Sequence, residues 1–346
     1  MAECVLMKIP GFVIFLIVNL SFFPMLFAAG NCDLASALPD SLRNKQNISI
    51  LVIDSGLGGL SVCADIEARA KLGSPFQKVN MVFCNALPES NYGYNDMASM
   101  GEKAQVFSDA LKGMVGKFKP DVILIACNTL SVVYPHTEFS QSTHLPVFEI
   151  ISIAAEMIAQ RMQALPDAAV LLFGTETTIA SDAHRTQLMA LGIDGKRILT
   201  QACPKLETEI QIDPKSDLVH SYVEMYIEEA VQRLPRTDVP VIAALCCTHY
   251  GYVSDLFQHA MSLSGIVHRE ILNPNSRMAQ LVFPDQQQGK SKNTEIAVHV
   301  SSRVAFSKEE IQSIVGLLQK QARSTARALE MYELDNNLFS FERTHP

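Results

Sequence analysis

Cys127, in IACNTLSVV (125–133), and Cys247, in LCCTHYGYV (245–253), each end an apolar run and open onto polar residues. A thiol does acid–base or nucleophilic work as the thiolate, so it needs neighbours that tune its ionisation. Taken singly, each is as well explained as a core cysteine, because cysteine is among the most buried residue types. Three chemistries use two such thiols. A disulfide would join them under strict geometry. Zinc would need a ligand spacing that Cys-Cys-x-His does not supply, and no second Cys/His cluster follows, so no metal site is expected. Acid–base work at a carbon stereocentre would place one group on each face, one removing a proton and the other supplying one, with no cofactor.

The residues beside each thiol differ. Asn128 and Thr129 suit the first turn of a helix, whose N-terminus should depress the pKa of Cys127. His249 could orient or acidify Cys247, or sit hydrogen-bonded in a wall. Asp54, at the end of ISILVID (48–54), could support Cys127 or bind a substrate ammonium group; Asp54-Ser55 reads equally well as a helix N-cap. GTETT (174–178) could hold a carboxylate through backbone N–H groups and the Thr178 hydroxyl. SGLGG (55–59) has its glycines too close for a dinucleotide fingerprint, and no Gly-Lys-Ser/Thr follows. His136, His144, His184, His220, His259 and His268 are expected in solvent.

Strands must position these residues. ISILVID, VNMVF (79–83), DVILIA (121–126), AVLLFG (169–174) and VPVIAAL (239–245) alternate with helical stretches such as LSVCADIEARAKL (60–72). Near-continuous apolar strands of this kind form parallel sheets covered on both faces. The interval from Asp54 to Gly174, the ends of two similar strands, equals that from Cys127 to Cys247. A duplicated α/β unit explains both. The expected fold is α/β, with two pseudo-symmetric, doubly wound parallel-sheet domains. Ligands bind beyond the carboxyl ends of such strands, so Asp54, Cys127, Gly174 and Cys247 should converge on the cleft between the domains.

The 346 residues can hold two ordinary domains, and 48% apolar with 18% charged residues is a globular composition. A net charge of −8 without a Lys/Arg stripe argues against nucleic acid as a partner. Ile9 to Cys32 carries no charge, FVIFLIV (12–18) follows Lys8, and Ala28-Ala29-Gly30 offers small residues for cleavage. Residues 1–30 therefore read as a signal peptide leading to the periplasm or to secretion. The alternative, a membrane anchor through residues 9–29, is weakened by Asn19, Ser21 and Pro24. Polar residues 31–47 read as a linker. The seven cysteines left after cleavage are odd in number and irregular in spacing, so free thiols are expected rather than a disulfide framework. Oligomeric state is open, a homodimer included.

IDSGLGGLSV, ESNYGYND, IACNTLSVV, FGTETTIAS and CCTHYGYV, in this order, resemble the motifs of glutamate racemase, in the cofactor-independent aspartate/glutamate racemase superfamily. The resemblance runs from about Ile48 to Leu318. It implies a two-base mechanism without pyridoxal phosphate, Cys127 acting on the D-enantiomer and Cys247 on the L-enantiomer. Asp54 would assist Cys127 and His249 would assist Cys247. Substrate contacts would come from Asp54, Ser55, Tyr92, Gly93, Asn128, Thr129, Thr178, Thr248 and His249. It further implies that the second domain, 149–272, is inserted into the first, 48–148 plus 273–335, with a tail at 336–346. Asn91 and Gly251 replace prolines of the family pattern, and Gln211, eight residues after Cys203, replaces a glutamate. Three classes stay open: a racemase of glutamate, aspartate or broader specificity; a relative using one cysteine as a nucleophile, like maleate isomerases or decarboxylases; and a periplasmic amino-acid-binding protein. Two intact cysteines with His249 favour the first.

Overall fold

Asn47–Asp54 forms strand β1 because its β-branched, apolar residues are covered on both faces. Successive side chains point to opposite sides, so Ile50 and Val52 enter one core layer while Leu51 and Ile53 enter another. The computed structural model describes residues 38–266, 268–284 and 294–343. The signal-peptide reading of residues 1–30 lies outside them. In chain order the further strands are β2 (Lys78–Asn85), β3 (Val122–Ile125), β4 (Val147–Glu149), β5 (Ala169–Gly174) and β6 (Ile198–Ala202). β7 (Val241–Cys246), β8 (Arg269–Leu272), β9 (Glu295–Ser302) and β10 (Glu333–Leu334) complete the set.

All these strands pair in parallel, in two sheets ordered β10-β9-β2-β1-β3-β4 and β6-β5-β7-β8. Helices cover both faces of each sheet, as parallel crossovers require. The expected α/β architecture of two parallel sheets is what the structure shows. The strands β2-β1-β3-β4 and β6-β5-β7-β8 have the same order, and Ile53 meets Ile125 just as Phe173 meets Leu245. The duplication read from the cysteine interval is thus a matched strand register.

The two sheets are joined through helices. Ile150–Ala164 buries Ile150 and Ile153 in the first sheet's core, and Ala154, Ile158 and Met162 in the second's. Pro274–Val282 returns to the first core, burying Met278 and Ala279 there. The stretch read as a linker holds the one-turn helix Asp40–Arg43, and its Leu42 joins Leu38 in the first core. The stretch read as a tail also buries Leu338 and Phe339. Among the described residues no helix is long and apolar enough to cross a membrane.

Candidate active site

Four strand ends supply the site. After β1, Asp54 opens the SGLGG loop; after β3, Cys127 caps the helix Asn128–Val133. After β5, Thr175 caps the helix Glu176–Ala180; after β7, Cys247 precedes the 3-10 turn Thr248–Val253. All lie at carboxyl ends, where parallel sheets bind ligands. After β3 and β5 the chain changes from extended to helical because the N-cap side chain satisfies an amide the new helix leaves unpaired. Thus the Cys127 sulfur accepts from Leu130 N at 3.5 Å, and Thr175 Oγ1 from Thr178 N at 3.4 Å.

Asp54 is 1% exposed and caps no helix; its Oδ1 accepts from Gly56 N at 3.2 Å and its Oδ2 from the Thr248 hydroxyl at 2.8 Å. Burial raises its carboxyl from 3.8 to about 6, although Thr248, the Ser55 and Gly56 amides and Cys127 all favour the carboxylate. Ser55 Oγ is 3.3 Å from the Cys127 sulfur. At Cys247 the sulfur lies 3.9 Å from Nδ1 of His249, whose Nε2 is 2.9 Å from Gln211 Oε1. Burial holds His249 down at about 4, so the ring is uncharged at neutral pH.

Both thiols are buried, and that corrects one expectation. The Cys127 thiol is pushed up to about 12, chiefly by burial and then by the nearby Asp54 charge, rather than depressed. The six-residue helix behind it does not offset the loss of water. Burial also raises Cys247 well above an ordinary thiol, with Glu207, Asp54 and Cys127 opposing its ionisation. The Asp54 charge thus opposes ionisation of both thiols. His184 is a second correction: it is 3% exposed and held at about 4 by burial, whereas the other five histidines expected in solvent are exposed.

The remaining expected residues divide. Asn128 is 3% exposed, and neither its Nδ2 nor its Oδ1 has a partner, an arrangement that suits a ligand carrying both donors and acceptors. The Thr129 hydroxyl reaches Thr175 at 3.0 Å and Thr178 at 3.4 Å, tying the first sheet's loops to the second's. Thr248 is occupied by Asp54. Tyr92 donates to Glu102 at 2.7 Å, and Gly93 N donates to Asp96 at 2.7 Å, so both are engaged within their own loop and helix. Three residues near the site escaped the sequence reading. Glu207 has a buried Oε2 without a partner and is raised to about 7 by burial. Lys103 Nζ donates to Thr177 at 3.1 Å, and Glu310 accepts from Gln211 at 2.6 Å. None of the three carried a sequence signal; their neighbour Gln211 did, by its place eight residues after Cys203.

Among the described residues no His/Cys/Asp/Glu cluster could hold a metal ion. A surface cavity of about 620 Å³, lined by Arg161, Val241 and Arg269 among others, sits at the amino ends of β7 and β8, away from these residues. The described cysteines are all buried free thiols.

No protein-family model matches the chain. It is 27% identical over 229 residues to a glutamate racemase of Paracoccus denitrificans, covering 62% of this chain and 77% of that one. Similarity to the glutamate racemase of Aquifex pyrophilus is 24% over 251 residues, 69% of this chain and 89% of the other. The fold matches the Bacillus anthracis glutamate racemase crystal structure with a TM-score of 0.59 at 19% identity, across 80% of this chain and 94% of that one. It matches the Francisella tularensis glutamate racemase, solved with D-glutamate, with a TM-score of 0.59 at 18% identity, across 80% and 96%.

Proposed function

We infer that this chain is an amino-acid racemase of the aspartate/glutamate racemase superfamily, and propose that it interconverts L- and D-glutamate by two-base proton transfer. One observation carries the mechanism. Two thiols at equivalent strand ends each have their own proton acceptor, Asp54 for Cys127 and His249 for Cys247, and Ser55 also hydrogen-bonds the Cys127 sulfur.

In this mechanism an ionised Asp54, steadied by the Thr248 hydroxyl and the Gly56 amide, takes the Cys127 proton. In that direction Cys247 keeps its proton; in the reverse direction uncharged His249 takes the Cys247 proton at Nδ1 while Cys127 stays a thiol. The thiolate on one side removes the Cα proton, the electron pair passes into the substrate carboxylate, and the opposite thiol delivers its proton to the other face. Each transfer inverts the protonation of the two thiols, and proton exchange with solvent after product release resets them. Asn128, with two unpartnered polar atoms, would take the substrate's carboxylate and ammonium groups. The fixed N–H groups and hydroxyls around it would stabilise the developing charge. A buried thiol resists ionisation, so the bound ammonium would also favour the thiolate.

The test uses the reduced protein without added cofactor, incubated in D₂O with each enantiomer of glutamate and of aspartate. The mechanism requires loss of optical rotation together with deuterium at Cα, fastest with glutamate. Faster turnover of aspartate would reassign the substrate; binding without exchange would point to a binding protein. For location we propose export directed by residues 1–30, on the sequence features given above. Fractionation and the intact mass of the native product test it: a chain beginning at residue 31 outside the cytoplasm is expected, and a full-length cytoplasmic chain would refute it.

A further inference from the structure

His249 is gripped from behind by a network that reaches the loop and helices packed on the first sheet. Gln211 lies on the helix Leu206–Ile212, which packs in the second sheet's core through Leu206 and Ile210. Its Oε1 is 2.7 Å from Leu57 N, in the glycine-rich loop of the first sheet, as well as 2.9 Å from His249 Nε2. Its Nε2 is 2.6 Å from Glu310 Oε1. Glu310 sits in the first turn of Lys308–Leu318, whose Ile314, Val315 and Leu318 belong to the first core. Glu310 is itself fixed, because its Oε2 accepts from Ser307 N at 2.8 Å while Ser307 Oγ accepts from Glu310 N at 3.1 Å.

Donor and acceptor roles then follow without choice. Leu57 N–H can only donate, so the Gln211 atom facing it must be the carbonyl oxygen. A carboxylate can only accept, so the atom facing Glu310 must be the amide nitrogen. Turning the amide over would set N–H against N–H and oxygen against oxygen. His249 Nε2 therefore meets an acceptor and must carry the hydrogen, which leaves Nδ1 with a free lone pair pointing at the Cys247 thiol.

We propose that Glu310 is a positioning residue: through Gln211 it locks His249 in the Nε2–H tautomer, so that Nδ1 can accept the Cys247 proton. The negative charge that fixes the histidine is thus displaced one hydrogen bond outward, onto a helix of the opposite lobe. Gln211 is held at both ends by that lobe. Separation of the lobes would free its amide to turn and present N–H to His249, giving the wrong tautomer for proton uptake. The catalytic consequence rests on the racemase reading; the tautomer itself does not, and is measured on the resting protein.

Long-range ¹H–¹⁵N correlation spectra of ¹⁵N-histidine-labelled protein report which ring nitrogen of His249 is protonated, with His249→Gln for assignment. Wild type should show Nε2–H alone. Glu310→Ala should populate Nδ1–H and lower kcat by about tenfold. Ser307→Ala weakens the same helix cap but keeps the backbone N–H at position 307 that holds the Glu310 carboxylate, and should leave the tautomer unchanged. Gln211→Glu combined with Glu310→Ala puts an acceptor-only group beside His249 and should restore Nε2–H. An Nδ1–H tautomer in wild type, or an undisturbed Nε2–H in Glu310→Ala, would overturn the proposal even if racemase activity were established. Inactivity towards glutamate and aspartate with the expected tautomers would refute the racemase reading alone.

Discussion

At Asp54 the demands of stability and of chemistry oppose each other. Its carboxyl is raised from 3.8 to about 6 in the folded protein, so the fold holds a proton that the unfolded chain releases. The sign follows: the contribution to stability is complete below about pH 4 and is lost as pH rises to 6, leaving a cost of about 3 kcal/mol at pH 7. Asp54→Asn should therefore raise stability to urea at pH 7.5 by up to about 3 kcal/mol, a gain that shrinks towards zero at pH 4, while racemisation disappears. A wild-type kcat/KM that falls below about pH 6 would report the same group in the free enzyme. Cys127→Ser and Cys247→Ser should each lower racemisation of either enantiomer by at least about 1000-fold. Elimination from a β-substituted analogue of one enantiomer should survive in one of them, and near-normal racemisation in either would sink the two-base assignment. These side chains were legible because their types recur at one interval. The pKa direction of Cys127 was not, because complete burial cannot be read from local sequence and here outweighs the helix end. Glu310 was invisible for a related reason: its partner Gln211 is 99 residues away.

Among the elements, the SGLGG loop has the tightest tolerance. A Cβ on Gly58 would lie 2.3 Å from Thr248 Oγ1, 2.7 Å from His249 Nδ1 and 2.8 Å from the His249 backbone nitrogen. The last cannot swing aside. Gly58→Ala should leave the sheets intact, cost about 1–3 kcal/mol in urea melts, and lower kcat/KM by at least about 100-fold. Wild-type kinetics in that variant would mean the loop's fit against the histidine has no part in catalysis. Sequence reading caught strands that are apolar on both faces, such as β5 at Ala169–Gly174, and passed over others. β4 and β8 have three and four residues, all partly or fully exposed at the sheet edges. β6 (ILTQA) mixes polar and apolar residues because only part of it is buried. The first five residues of β9 are partly or fully exposed, so polar His299 interrupts its apolar run.

Across the whole molecule, the described chain from residue 38 onward belongs to one compact unit with its thiols enclosed. Thr129 with Thr175 and Thr178, Lys103 with Thr177, Thr248 with Asp54, and Leu57 with Gln211 all cross between the two sheets' loops. Cys127 and Cys247 are each 6% exposed behind these bonds, whereas Cys63, Cys84, Cys203 and Cys246 lie fully inside the cores. Native-state alkylation read by mass spectrometry should modify Cys127 and Cys247 slowly, be suppressed by D-glutamate, and spare the other four described cysteines until urea unfolds the chain. Labelling of Cys246 at the rate of Cys247 would contradict this picture. The matched strand order of the two sheets has a consequence for ancestry. Enantiomers have equal free energy in water, so a catalyst of their exchange must serve both directions equally. One ancestral half, paired with itself about a two-fold axis, would already have set two identical thiols on opposite sides of a single carbon. On that view the aspartate of one half and the histidine of the other are later divergence, added to a reaction whose balance came from the symmetry of the dimer.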